Sequence, residues 1–256
     1  MREAKRSPLK DKPLRNPGQS LDEQRHDLAL DKIATPLLMV VFLVCLAGLE
    51  WWRYYFPQEP SPFLYTFVAL LAVGYAAFQI RKVRPKLRAL RLGRDGEKTV
   101  GQLLEHLREA GYEVFHDVIG PGFNVDHVVI GPAGLFTIET KTISKRPGPD
   151  AKVVFDGESI LVDGFDPDRD PVVQARAQTG WLRDLLAAST GRKFSVRPVI
   201  LYPGWFVEQG KGTTRDIWVL EPKALPSYLA HEPAALSAED VKLVSFHLSR
   251  FIRSGK

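Results

Sequence analysis

The sequence predicts an α/β domain preceded by a two-helix membrane hairpin, and three observations carry that reading. Ile33–Leu49 and Phe63–Ile80 are apolar runs of 17 and 18 residues without a charge. Beyond Gly93 the pattern turns to alternating helix and strand, the order of a sheet covered by helices. Two of those strands, Val125–Ile130 and Leu135–Lys141, flank the tetrapeptide Gly131-Pro132-Ala133-Gly134, which is a hairpin signal.

Taken in order, residues 1–32 mix charges with Pro8, Pro13 and Pro17 and lack hydrophobic anchors. That composition predicts a largely disordered segment. The hairpin follows over residues 33–80. A span needs about 20 mostly apolar residues, within a working range of about 17–25, and neither run shows a polar helical face. Trp51, Trp52, Tyr54 and Tyr55 cluster just past the first run, where an interfacial aromatic belt belongs. The alternative, a pair of core helices in a soluble domain, does not account for the belt or for the flanking charge. The connector Glu50–Ser61 holds one basic residue, whereas residues 1–32 hold eight and Arg81–Arg94 holds seven. Basic residues stay on the cytoplasmic side. The expectation is therefore a two-span protein of a bacterial inner (plasma) membrane, with both termini and the α/β domain in the cytoplasm. No cleavable signal peptide is expected, because the first apolar run follows a long charged lead.

Residues 81–92 read as a basic juxtamembrane linker. Within Arg81–Arg94 the seven basic residues face no acid, and subtracting them from the net charge of +5 leaves −2 for the rest of the chain. Contact with anionic lipid head groups is the expected role of that stretch, and capture of nucleic-acid phosphate is the second. The globular part carries no basic excess that would draw in a polyanion. The single cysteine, Cys45, excludes an internal disulfide framework and fits a reducing compartment. Six histidines and one cysteine form no zinc spacing, so no zinc is expected.

The α/β part spans 93–205, with 206–256 adding a strand and a helix. Asp95–Ala110 is an amphipathic helix closed by Gly111. Strands are expected at Glu113–Ile119, Val125–Ile130 and Leu135–Lys141, and a hairpin at Val153–Val162 around Asp156-Gly157. Asp170-Pro171 supplies an N-cap and a first-position proline for a helix to about Ser189. Val196–Tyr202 and Ile217–Leu220 read as strands, and Ala238–Ile252 as a helix.

The short turn fixes a register. If Ile130 pairs with Leu135, paired positions sum to 265, and Asp126 lies opposite Glu139. Directly opposed residues have Cβ atoms roughly 4.5–5.5 Å apart, and like charges there are destabilising. Lys141 points to the same face as Glu139, because side chains alternate along a strand. Two carboxylates and an ammonium on one face suit a divalent cation.

The ordered set Gly93-Arg94-Asp95-Gly96-Glu97, Asn124-Val125-Asp126-His127-Val128-Val129-Ile130-Gly131-Pro132-Ala133-Gly134 and Ile138-Glu139-Thr140-Lys141 resembles the NERD (nuclease-related) domain. Asp170-Pro171-Val172-Val173-Gln174-Ala175 extends the likeness. That family is assigned to the PD-(D/E)xK superfamily. The resemblance implies a restriction-endonuclease-like core, a mixed sheet flanked by helices, and nuclease activity. Val125 stands where the superfamily's motif has its proline.

The expected site is Asp126, Glu139, Lys141, Glu97 and Gln174. Asp126 and Glu139 would hold Mg2+ or Mn2+, which needs only one or two protein carboxylates. Lys141 would stabilise charge developing at phosphorus. Glu97 lies three residues before Val100 on the apolar helix face, although an acid in a first helical turn also simply complements the dipole. The resemblance implies that Gln174 positions phosphate or water; a polar residue at the edge of a packing face is the competing account. His127 points away from Asp126, as a hydrogen-bonded core residue. The expected function is a membrane-anchored, metal-dependent nuclease acting on nucleic acid, DNA above RNA. The alternative is an inactive nuclease-fold module that binds nucleic acid or protein at the membrane.

Overall fold

The computed structural model describes residues 14–56, 62–145, 151–210 and 216–254. The first 13 residues of the segment expected to be disordered, and residues 57–61 of the connector, lie outside the described residues. The chain divides into two units, Leu21–Leu92 and a second made of residues up to Ser20 together with Gly93–Lys256.

In the first unit, α1 (Gln19–Ala29) passes through one π-helical turn, Leu30–Ala34, into α2 (Thr35–Tyr55). The lead expected to lack structure is therefore helical from Gln19. The next helix, α3, runs over Pro62–Glu105 and accommodates Pro85, so the stretch read as a basic linker is helical as well. Two helical paths, Gln19–Tyr55 and Pro62–Ala110, are long and apolar enough to cross a membrane. Their large apolar side chains point outward: Leu38, Phe42, Phe63, Leu70 and Phe78 are all exposed. The aromatic cluster joins the two helices, with the Trp51 Nε1–H donating to Thr66 Oγ1 at 3.3 Å and the Trp51 ring 6.4 Å from that of Phe63.

The second unit is a mixed α/β sandwich. Its strands are β1 (Glu113–Ile119), β2 (Asn124–Gly131), β3 (Gly134–Thr140), β4 (Lys152–Phe155), β5 (Ile160–Val162), β6 (Val196–Leu201), β7 (Phe206–Gln209) and β8 (Trp218–Leu220). The main sheet has the order β1-β2-β3-β6-β8, and a small sheet has the order β5-β4-β7. The first three strands form an antiparallel meander, and β6 and β8 add in parallel. A parallel pair needs a crossover, and α4 (Pro171–Thr190) lies in the one between β3 and β6. Asp170 caps α4 through the amides of Val172 and Val173, with Pro171 at its first position.

Alternation along β3 sorts its side chains between two cores. Phe136 and Ile138 pack with Val100, Leu104 and Leu107 of α3 and with α5 (Leu225–His231). Leu135 faces the opposite way, toward Leu182 and Leu186 of α4 and Val244 and Leu248 of α6 (Ala238–Ser254). The small sheet packs against the start of α4 through Phe155, Ile160 and Val172. Two elements in this unit were not expected from sequence, β7 and α5. Strand β7 has four residues, and its partner β4 lies some fifty residues earlier.

Candidate active site

The hairpin between β2 and β3 pairs Gly131 with Gly134, Ile130 with Leu135, and so on to His127 with Ile138. This is the register expected from the turn. Gly134 takes φ +130°, and a Cβ on Gly131 would lie 2.1 Å from the Tyr112 ring, so both turn glycines are required. One step beyond the last pair, Asp126 and Glu139 emerge on the face that carries α4. The strands have separated there, and Asp126 Oδ2 accepts a hydrogen bond from the Thr140 amide at 2.7 Å.

Glu139 is nearly buried, at 5% exposure, and three donors serve its carboxylate. Oε1 accepts from Lys141 Nζ and from Gln174 Nε2, each at 2.7 Å. Oε2 accepts from Gln178 Nε2 at 2.7 Å. Lys141 Nζ also donates to Gln174 Oε1 at 2.8 Å, so Gln174 bridges the acid and the ammonium. The Lys141 amide donates to Leu201 O, which carries the backbone ladder just past the end of β3. Gln174 and Gln178 sit one turn apart on α4, so their side chains reach the same carboxylate.

Glu97 approaches from α3, the helix on the other face of the sheet. Contact with the site is made possible by Gly96, where a Cβ would lie 1.7 Å from Thr142 Oγ1. Helix α3 thus packs directly on the side chain of Thr142, the residue after Lys141. Burial pushes the Glu97 carboxyl up to about 8, with Asp117 and Glu139 adding repulsion, while a hydrogen bond from the Gly18 amide and the Lys141 charge oppose the shift. The half-buried Asp126 is raised well above the ordinary carboxylate range for the same reasons, burial first and then Glu139 and Glu97. Crowded buried acids resist joint ionisation.

The five expected site residues come together. Sequence reasoning left out Gln178 from that set, although its spacing from Gln174 was a usable signal. It also left out Asp117, which is buried at 2% exposure with a left-handed backbone, φ +51°. Asn124 reaches the site by its backbone: its carbonyl accepts from Gln178 Nε2, and its side chain donates to Asp117 Oδ1. His127 stays apart, in a pair with His116 whose Nδ1 atoms lie 2.9 Å apart. His116 Nε2 lies 2.8 Å from Glu105 Oε1. Burial lowers the pKa of both histidines.

Several buried polar atoms around the carboxylates lack a protein partner: Thr140 Oγ1, Thr142 Oγ1, Gln178 Oε1 and Tyr202 OH. Burial, with Glu139 and Asp170 nearby, raises the Tyr202 pKa. Such orphaned atoms call for water or a ligand. Among the described residues no three His, Cys, Asp or Glu side chains converge as a ready-made metal cage. The donor set instead fits a hard cation that keeps most of its waters and takes one or two carboxylates.

Comparisons with curated proteins and with solved structures found no match. A comparison with family models did. Residues 92–203 match NERD, the nuclease-related domain. That stretch contains Glu97, Asp126, Glu139, Lys141, Gln174 and Gln178, and over it the chain is similar to the nuclease-related domain.

Proposed function

We propose that the protein is a membrane-anchored nuclease that hydrolyses phosphodiester bonds, in DNA, on the cytoplasmic side, with Mg2+ or Mn2+ held by Asp126 and Glu139. One observation carries the reading. Lys141 pairs with Glu139 at 2.7 Å, and Glu97 and Asp126 lie near enough for the charges of both to act on them. With all four ionised the group carries −2, and a divalent cation neutralises that charge.

When bound, the cation supplies Lewis acidity toward phosphate oxygen and a more acidic water. The chain's own groups do the rest. Lys141 is held at the edge of the site by Glu139 and Gln174, with its charge placed where negative charge grows on phosphorus oxygens. Gln174 and Gln178 fix the Glu139 carboxylate through separate oxygens. Asp126 is fixed by the Thr140 amide. Glu97, with a pKa of about 8, exchanges a proton near neutral pH, which suits a group that moves a proton from water.

The membrane anchor rests on the two long apolar helices and on the basic residues that flank them. The helical Arg81–Arg94 stretch suits anionic lipid. A second reading has one observation in its favour. The Glu139 carboxylate is already served by Lys141, Gln174 and Gln178, and a closed network of that kind also suits a module that binds without cutting.

The test is cleavage of supercoiled and linear DNA by the full chain in detergent micelles, with Mg2+ or Mn2+. Glu139→Ala and Lys141→Ala are each expected to lower the rate by about 100-fold or more. Undiminished cleavage by both variants would overturn the site. Binding of DNA without cleavage, together with a thermal stability indifferent to Mg2+, would favour the second reading.

A further inference from the structure

The segment before the apolar helices is docked on the domain that follows them. Asn16 and Gln19 close a turn, with the Gln19 amide donating to Asn16 O and the Asn16 amide to Gln19 Oε1. Gly18 at its centre has φ +69° and lies against Arg94. Pro17 packs on Gly101 of α3, where a Cβ would come within 2.6 Å of its ring. Arg15 Nε donates to Asp117 Oδ2 at 2.5 Å, the Ser20 amide donates to the same oxygen at 3.0 Å, and Ser20 Oγ bonds Oδ1. The Gly18 amide donates to the Glu97 carboxylate.

Asp117 explains why a segment is needed there. Its neighbours in β1 pair regularly, His116 with His127 and Val118 with Val125, which places Asp117 level with Asp126. Two carboxylates side by side on one face would repel. The left-handed backbone at Asp117 breaks the ladder, and its carboxylate goes to Arg15 and Ser20 instead. Apart from those two residues its hydrogen-bond partner is Asn124 at 3.3 Å. A buried carboxylate left with one weak neutral donor is strongly disfavoured.

We propose that residues 14–20 are a strap that completes the carboxylate site. Arg15 and Ser20 clasp Asp117, Gly18 holds the Glu97 carboxylate, and Arg15 and Asp117 act as positioning residues for Glu97. The proposal rests on the reading of Glu97 as a site residue. It also assigns to the nuclease-related domain a piece of chain that lies on the far side of both apolar helices in sequence, outside the matched stretch 92–203.

The experiment uses the full chain in detergent micelles, as wild type, Arg15→Ala, Arg15→Lys, Glu97→Gln and the double variant of Arg15→Ala with Glu97→Gln. Amide hydrogen exchange is read over residues 14–20 and 94–101, and Mn2+ affinity is read by titration. In the wild type the Gly18 and Ser20 amides are expected to exchange at least about tenfold more slowly than in an unstructured peptide. Arg15→Ala should abolish that protection, speed exchange over 94–101 and weaken Mn2+ about tenfold, and Arg15→Lys should restore most of the loss. In the Glu97→Gln background, Arg15→Ala should weaken Mn2+ no further, because its effect runs through Glu97. Unprotected amides at 18 and 20 in the wild type would overturn the strap. Equal weakening of Mn2+ in both backgrounds would overturn the positioning role. If the wild type takes up no Mn2+, the cation reading falls by itself, and the exchange rates over 94–101 in Arg15→Ala then decide the proposal.

Discussion

At Glu139 three donors meet one carboxylate, and each can be removed separately. Gln178 is fully buried and uncharged, and its Nε2 donates both to Glu139 Oε2 and to the Asn124 carbonyl. Gln178→Leu leaves that carboxylate oxygen buried without its donor, which is expected to cost about 1–3 kcal/mol of stability, read from denaturant unfolding. On the proposed nuclease reading, Lys141→Ala acts on the chemistry instead, and its larger effect is expected in the cleavage rate. Glu97 adds a pH signature. An acid whose folded pKa lies above its unfolded value carries more protons folded than unfolded between the two. Stability therefore falls as pH rises through that window, here from 4.5 to about 8. Without divalent cations, Tm is expected to drop by several degrees between about pH 5 and about pH 8, and Glu97→Gln should flatten the slope. Saturating Mg2+ should oppose the drop, because it favours the ionised carboxylates. A slope unchanged by Glu97→Gln would show that this side chain does not carry the proton.

Among the elements, α3 is the one whose approach decides the site. Replacing glycine with alanine in a helix normally stabilises it by about 1 kcal/mol. At Gly96 the new Cβ would meet Thr142 Oγ1 at 1.7 Å, so the sign should reverse. Gly96→Ala is expected to cost about 1–3 kcal/mol and to weaken Mn2+ binding, because Glu97 is the next residue. Much of this architecture was legible in the sequence. A two-residue turn and strict alternation leave β2 and β3 a single register, and the Asp170-Pro171 cap fixes the start of α4. What was not legible was non-local. Strand β7 is Phe206–Gln209, too short for alternation to register, and it exists because β4 offers it an edge. Asp117 could not be placed beside the site from sequence, because nothing near it in sequence shows that Arg15 and Ser20 cover it. The same blindness made the lead look structureless: its prolines and charges lack a local core, and it is ordered through Asp117, 97 positions from Ser20.

For the whole molecule, the division of labour follows the change in composition near Gly93. The first unit exposes its apolar side chains, and the second buries them on both faces of a five-stranded sheet and beneath the small one. The full chain is expected to remain in the membrane fraction after alkaline carbonate extraction, and release into the supernatant would count against two spans. The docking of residues 14–20 on the domain adds a rule of parity. A chain whose residues 14–20 dock on the domain that begins at Gly93 must cross a bilayer an even number of times between them, or Arg15 and Asp117 would be parted by lipid. Deleting Ile33–Leu49 would leave one crossing. Such a variant must either lose the Arg15–Asp117 clasp, read as a lower Tm of the domain, or fail to insert, read as release from the membrane fraction.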